Sequence, residues 1–218
     1  MKVTQSILMA GCMLAVTASA GAQDFTNSTS FLGAISPTYY HETFAGWAYG
    51  SPIGDTGTGG TPEVTYVGPG ADGFDWTAIG GTGIPASGQN LWSLPGAVST
   101  EVNDISITFS FANSTNSVEA FGGNFQDVDS SGVNEAGSVV LSFMNGATTV
   151  HSMTLTNDTS TSFYGYVSLT PFTSVVITIP TANEFISAGN LYTAAPEPAS
   201  LAVLGLAALA LVRRRATR

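Results

Sequence analysis

The sequence predicts an all-β protein: an antiparallel β-sandwich of the jelly-roll kind, flanked by an N-terminal signal helix and a C-terminal hydrophobic helix. Three observations favour this fold class. Apolar and polar residues alternate along short segments, turn residues recur roughly every 8–12 positions, and no helical period is visible between the two ends. Apolar residues make up 44% of the chain and charged residues only 9%, which argues against disorder.

Residues 1–22 have the layout of a secretory signal peptide. A single Lys is followed by an apolar run and then by small residues. Cleavage between Ala22 and Gln23 fits the small-x-small rule, with cleavage after Ala20 as the alternative. The apolar run is too short for a transmembrane helix. The only Cys of the chain, Cys12, lies in this leader, so we expect a mature domain without disulfides or a Cys nucleophile.

Strand signals are sparse before residue 102. Residues 24–62 read as irregular, except for a possible first strand at 41–44. Short strands are predicted at 63–67 and 74–79, between Gly-rich connections.

The pattern becomes clear from Val102 onward. Ile and Phe alternate with Ser and Thr over 105–111, which predicts a half-buried strand. Residues 117–125 form the next predicted strand, where Gly122-Gly123 marks a bulge or a close approach of two backbones. Residues 127–137 read as a polar loop.

A hairpin is predicted at Asn145-Gly146, because this dipeptide favours the tight turn between two antiparallel strands. Its strands are 138–144 and 148–155. The remaining predicted strands are 163–167, 174–179 and the two short pieces 185–186 and 191–192.

Charge is distributed unevenly along the chain. All five Lys and Arg lie at the ends, as Lys2 and within 213–218, while the acidic residues run from Asp24 to Glu197. The formal net charge is −10. A cationic surface for phosphate groups cannot be built from this composition, which excludes nucleic acid as a partner.

The last residues combine three features. The tripeptide Pro196-Glu197-Pro198 precedes an uncharged apolar run, 199–212, and the cluster Arg213-Arg214-Arg215 follows. Basic residues after an apolar helix stay in the cytoplasm, which leaves the upstream chain outside. This segment, 194–218, resembles the PEP-CTERM sorting signal of bacterial exported proteins. The resemblance implies export by the Sec machinery, processing near the tripeptide by an exosortase-like membrane protease, and a location at the cell surface or in the extracellular matrix. An ordinary C-terminal anchor is the alternative.

Between the ends, the order ITFSF, VEAFGGNF, the Asn-Gly hairpin, FYGYVSLTPFTSVVIT and a final NLY resembles the passenger domains of PEP-CTERM proteins. Those domains are similar to galactose-binding-like and carbohydrate-binding sandwiches. They often carry Asp before the last Asn, whereas here Gly189 precedes Asn190, so the resemblance assigns no ligand role to that corner. The predicted organisation is a signal peptide at 1–22, a passenger at 23–193 and a sorting segment at 194–218.

A calcium site is predicted in the polar loop. Asp127, Asp129 and Ser131 alternate before Gly132, and Glu135 follows at the ninth position. Alternate oxygen ligands with a Gly at the turn are typical of the first half of a calcium loop. A solvated acidic turn between strands is the alternative, since the twelfth position is Ser rather than Glu.

Trp47, Trp76 and Trp92 are candidate residues for binding sugar rings, because exposed aromatic faces stack on the apolar C–H faces of sugars. Their alternative role is to fill the core of the sandwich. The two His residues are far apart in sequence, which disfavours zinc.

No Ser-His-Asp set or Gly-x-Ser-x-Gly motif is present. The sequence thus favours a non-enzymatic structural or adhesive protein of the extracellular matrix. The alternatives are a carbohydrate-binding module that recognises exopolysaccharide and, less favoured, a secreted glycan-active enzyme.

Overall fold

The computed structural model describes the central part of the chain with gaps. The described residues are 21–35, 39–44, 52–53, 64–66, 76–80, 91–100, 105–111, 114, 117–157, 162–180 and 185–195. The predicted sorting tripeptide and the predicted leader up to residue 20 lie outside them.

The described residues form fourteen strands and one helix. They are β1 (Gln23–Phe25), α1 (Ser28–Ile35), β2 (Tyr40–Glu42), β3 (Pro52–Ile53), β4 (Val64–Tyr66), β5 (Trp76–Gly80), β6 (Leu91–Leu94), β7 (Ala97–Thr100), β8 (Ser106–Ser110), β9 (Val118–Val128), β10 (Gly137–Asn145), β11 (Thr148–Asn157), β12 (Ser162–Phe172), β13 (Ser174–Thr178) and β14 (Phe185–Ala194).

These strands build two antiparallel sheets, which confirms the all-β prediction. Sheet A has the order β1-β12-β9-β14-β7-β6-β3, with β2 also paired to β14. Sheet B has the order β11-β10-β13-β8-β5-β4. Neighbouring strands pair antiparallel throughout, so each can bury one face and expose the other.

Aromatic side chains join the two sheets. Phe109 of sheet B lies 5.7 Å from Phe121 of sheet A, measured between ring centroids. Phe143 of sheet B lies 5.2 Å from Phe172 of sheet A. All four rings are fully buried, so the inner faces of the sheets form one continuous core.

Strand β14 contains a one-residue bulge. Gly189 pairs with Asn124, but the next pair is Tyr192 with Gly122, so two residues of β14 stand opposite one of β9. Asn190, inside the bulge, has a φ of 47°. The sequence predicted two short strands here, and the structure shows one strand with a bulge between them.

Helix α1 lies within residues 24–62, which the sequence predicted to be irregular. Helix α1 begins after Asn27, whose side-chain oxygen accepts a hydrogen bond from the Ser30 amide at 3.2 Å. Its buried residues are Phe31 and Ile35, one turn apart. A helix of 8 residues with two core contacts is too short to produce a visible helical period.

The loop prediction for 127–137 was also partly wrong. Strand β9 continues to Val128, and Asp127 is fully buried. The Asn145-Gly146 hairpin is confirmed, since Asn145 pairs with Thr148 and Gly146 has a φ of 59°. The close approach at Gly122 is also confirmed, because a Cβ there would lie 3.0 Å from the Cα of Gly165.

Helix α1 covers one half of the outer face of sheet A. A Cβ added at Gly165 would lie 2.4 Å from the Phe31 ring, which is fully buried and cannot move aside. Replacing Gly165 by Ala should therefore lower the free energy of unfolding by about 1–3 kcal/mol, the usual cost of overpacking.

Gly33→Ala provides the matched control for that substitution. Nothing lies within 4 Å of the added methyl group, and Gly33 sits inside α1, so stability should rise by about 0.5–1 kcal/mol. Urea denaturation of both variants measures the difference. Equal stability of the Gly165 variant and the wild type would show that α1 does not pack on the sheet as described.

Candidate functional site

A polar cleft of about 370 Å³ opens on the other half of the outer face of sheet A. Its floor comes from β9 and β14, and its walls from the β6–β7 turn and the loop that follows β9. The polar side chains that line it are Asn124, Gln126, Asn134, Ser187 and Asn190. They are amides and one hydroxyl, and none carries a charge.

The strand register places the floor residues side by side. Ser187 pairs with Gln126, and Gly189 pairs with Asn124. Phe125 and Ala188, which alternate with them, lie in the core. Because side chains alternate between the faces of a strand, the polar residues of both strands reach the same outer face.

The β6–β7 turn lies directly against β14. A Cβ at Gly189 would be 2.5 Å from the carbonyl oxygen of Gly96, so only Gly permits this approach. Gly96 itself has a φ of 75°, which Gly adopts without strain. The absence of a side chain at Gly189 brings the turn close enough to form a wall of the cleft.

The opposite wall is held by hydrogen bonds within the 129–135 loop. The Asp129 Oδ1 atom accepts from the Ser131 amide at 2.8 Å and from the Val133 amide at 2.9 Å. The Gln126 Nε2 atom, on the cleft floor, donates to the Glu135 carbonyl at 2.9 Å. These bonds tie the loop to the sheet and pre-organise the wall.

Three aromatic side chains adjoin the cleft, and we call Tyr39, His41 and Tyr192 the aromatic shelf. The His41 and Tyr192 rings stack at a centroid distance of 4.1 Å and an interplanar angle of 12°. Tyr39 meets Tyr192 edge-on at 5.8 Å. The side chain of Asn190, which lines the cleft, is close enough to His41 to influence its pKa. The shelf and the cleft are therefore continuous.

The protonation states of His41 and Tyr192 in the aromatic shelf follow from the partial burial of their rings. Burial lowers the pKa of His41, although the nearby Asn190 side chain and the Glu42 charge act in the opposite direction. Burial also raises the pKa of Tyr192, and Tyr39 adds to the effect. The imidazole is thus mainly neutral and the Tyr192 phenol protonated at neutral pH.

A buried carboxylate positions His41. Glu42 is 5% exposed. The Tyr40 hydroxyl donates to its Oε2 at 2.8 Å, and the Phe44 amide donates to its Oε1 at 2.6 Å. Phe44 has a φ of 50°, a strained conformation for a bulky residue. The carboxylate therefore holds the chain after β2 in a tight bend, which fixes the register of β2 beside β14.

A second polar cluster lies where β1 and β12 of sheet A meet β11 of sheet B. The Tyr164 hydroxyl donates to Asp24 Oδ1 at 2.6 Å. The His151 Nε2 atom is 2.8 Å from the same oxygen and 3.0 Å from the Tyr164 hydroxyl. Burial, together with the Asp24 bond, raises the pKa of Tyr164, which keeps it a donor. The cluster ties the sheet edges together.

The four predicted calcium ligands lie in different surroundings. Asp127 is fully buried, and a Cβ at Gly137 would overlap its carboxylate. The Asp129 side chain is bonded to the loop amides, while Ser131 and Glu135 are exposed. Among the described residues, no three His, Cys, Asp or Glu side chains are grouped to hold a metal ion. Calcium binding stays a prediction.

The predicted tryptophan platform is only partly within the described residues. Trp47 lies outside them. Trp76 begins β5 in sheet B, and Trp92 lies on β6 in sheet A.

Sequence reasoning missed Asn124, Gln126, Asn134 and Ser187, because isolated Asn, Gln and Ser residues carry no pattern of their own. Gly189 and Asn190 also line the cleft, although the resemblance assigned them no ligand role. The alternation of Asn124 and Gln126 with core residues was the one available signal.

The predicted sorting residues Pro196, Glu197, Pro198 and Arg213–Arg215 lie outside the described residues, and the predicted first mature residue, Gln23, opens β1. Within the part of the chain that the structure describes, no helix is long and apolar enough to span a membrane.

The calcium prediction can be separated from the turn that Asp129 stabilises. Asp129→Asn keeps an oxygen that accepts from the loop amides but removes the charge. If calcium binds, millimolar calcium added to EDTA-treated protein should raise Tm, because extracellular sites have dissociation constants of about 0.1–1 mM. The variant should lose this rise while keeping the Tm of the metal-free wild type.

Differential scanning calorimetry measures the Tm of the wild type and of the Asp129→Asn variant, with and without calcium. An unchanged wild-type Tm between EDTA and several millimolar calcium would contradict the prediction.

Comparison with known proteins gives one kind of match. No family model matches the chain, and no curated protein matches it. Several solved structures of family 29 carbohydrate-binding modules are similar. A CBM29-2 mutant complexed with mannohexaose is 15% identical, with a TM-score of 0.39, covering 67% of this chain and 91% of that chain.

Two further mutants of that module give similar values. One, complexed with cellulohexaose, is 14% identical, with a TM-score of 0.39, covering 67% of this chain and 90% of that one. The other is 15% identical, with a TM-score of 0.41, covering 72% and 92%. Likeness at this level says nothing about the ligand of this chain.

Proposed function

We propose that this domain is a non-catalytic polysaccharide-binding domain of an exported surface protein, and that it binds sugar in the cleft on sheet A. The observation that carries the proposal is the continuity of an uncharged, amide-lined cleft with an aromatic shelf. Sugars present both chemistries that this surface offers, namely hydroxyl groups and apolar C–H faces. An adhesive role in the extracellular matrix follows directly from such binding.

The amide side chains of the cleft can form hydrogen bonds with the hydroxyl groups of a sugar. Each Asn or Gln side chain carries one acceptor oxygen and two donor N–H bonds. A sugar hydroxyl is itself both donor and acceptor, so a pair of adjacent hydroxyls can be matched by one amide. Asn124 and Asn190 are half-buried in the cleft. Water therefore competes less with a ligand for their hydrogen bonds.

The shelf suits the apolar face of a sugar ring. His41 is exposed and stacks on the partly buried Tyr192. A sugar ring packed on His41 would cover apolar ring surface on both partners. Since the Asn190 side chain lies close to His41 and also lines the cleft, a ring on the shelf would lie next to the cleft.

The cleft also needs little rearrangement to bind. Its loop wall is held by the Asp129 turn and by the bond from Gln126 to the Glu135 carbonyl. Its other wall is set by the close contact of Gly189 with Gly96. Pre-formed walls reduce the ordering cost of binding.

We propose the cellular location of the protein from the sequences of its two ends. Export through a leader that ends at Ala22, and processing near Pro196-Glu197-Pro198 by an exosortase-like protease, would place the domain at the cell surface. The C-terminal apolar helix would hold it transiently in the inner membrane.

Polysaccharide binding is tested with two cleft variants. Asn124→Ala removes hydrogen bonds and His41→Ala removes the shelf surface, so each should weaken binding about fivefold to tenfold, the effect of roughly 1–1.4 kcal/mol. A glycan array identifies the ligand, and calorimetry with that ligand measures affinity.

Ser142→Ala is the control, because Ser142 lies on β10 of sheet B and its hydroxyl contacts that of Ser152 at 3.4 Å. It should bind like the wild type. An array without any hit would contradict polysaccharide binding and favour a purely structural role.

Processing is tested by the intact mass of the protein recovered from its native host. We expect a chain that begins at Gln23 and ends near the Pro-Glu-Pro tripeptide. A mature chain that begins at Met1 or still ends in Arg218 would contradict processing at that end.

A further inference from the structure

We infer that the cleft on sheet A selects uncharged polysaccharides and discriminates against those with carboxylate or sulfate groups. The inference rests on the proposed function and names the class of ligand. The inference goes beyond the proposed function, because the amides that line the cleft could by themselves also hydrogen-bond an anionic sugar.

The first observation is the lining itself. Every described residue that lines the cleft is uncharged. Recognition of a carboxylate or sulfate in proteins commonly depends on Arg or Lys, which supply charge-assisted hydrogen bonds. The cleft has amide and hydroxyl donors only, so an anionic group placed there would lose its water without gaining a counter-charge.

The second observation is the sign of the surrounding charges. Two carboxylates, those of Asp129 and Glu135, lie on the loop that forms one wall of the cleft. Glu42 lies on β2, beside β14. All three are acidic, so an anionic ligand would be repelled.

The third observation concerns the sources of positive charge. Between Val3 and Val212 the chain has no Lys or Arg. His41 is the His nearest to the cleft, and its lowered pKa keeps it mainly neutral at neutral pH. No cation of the passenger can therefore offset the repulsion. The ligand class that remains is a neutral polysaccharide, rich in hydroxyl groups.

The test compares polysaccharides that share a backbone and differ in charge. The pairs are hydroxyethyl and carboxymethyl cellulose, and methyl-esterified pectin and pectate. EDTA is present throughout, so that divalent ions cannot bridge an acidic protein to an acidic polymer. Affinity electrophoresis and a glycan array with neutral and acidic members measure binding. We expect the neutral members to bind at least about tenfold more tightly.

Two Lys substitutions separate a local charge effect from the effect of net charge. Val133 is 61% exposed and lies between two residues that line the cleft, whereas Leu169 is 65% exposed and lies on β12, away from the lining. Val133→Lys and Leu169→Lys change the net charge equally at tolerant positions. We expect only Val133→Lys to reduce the difference in affinity between the neutral and the anionic member of each pair.

The outcomes separate the two proposals. Equal binding of both members, or preference for the anionic one, overturns the neutral-ligand inference and leaves polysaccharide binding intact. An equal effect of the two Lys variants assigns the discrimination to net charge and also overturns it. If no polysaccharide on the array or in the pairs binds, the proposed function itself fails.

Discussion

The one-residue bulge in β14 is the constraint on which the rest of the outer face of sheet A depends. Before it, Ser187 and Gly189 face outward and Ile186 and Ala188 enter the core. A strand without a bulge would then turn Tyr192 inward. The extra residue reverses the alternation, so Leu191 fills the core and Tyr192 reaches the outer face.

This reversal divides the outer face into two environments. On one side, Tyr192 packs beside the buried Phe31 of α1 with a centroid distance of 6.4 Å, and the surface is apolar and covered. On the other side, Asn124 of β9 and Asn190 of β14 remain partly open to solvent. Asn190, in the bulge, lies between the two sides and close to His41. The bulge thus creates the boundary at which a ligand meets both chemistries.

A shortage of cations shapes the remainder of the structure. Since residues 23–193 contain no Lys or Arg, buried or structured carboxylates must be stabilised by neutral donors. Glu42 accepts from a phenol and an amide, and Asp129 from two amides. Asp24 has the only cation-capable partner among the described ion pairs, His151. Apolar burial between the sheets therefore supplies most of the stability.

The sequence by itself determined the strand alternation, the Asn145-Gly146 hairpin and the anionic character of the passenger, because each depends on residues adjacent in the chain. Only the tertiary structure decided the cleft, since Asn124, Asn134 and Asn190 become neighbours through strand pairing over long sequence separations. It also decided helix α1, whose formation depends on packing against sheet A. Local patterns specify which face of a strand is buried, but the register between distant strands specifies which polar residues meet.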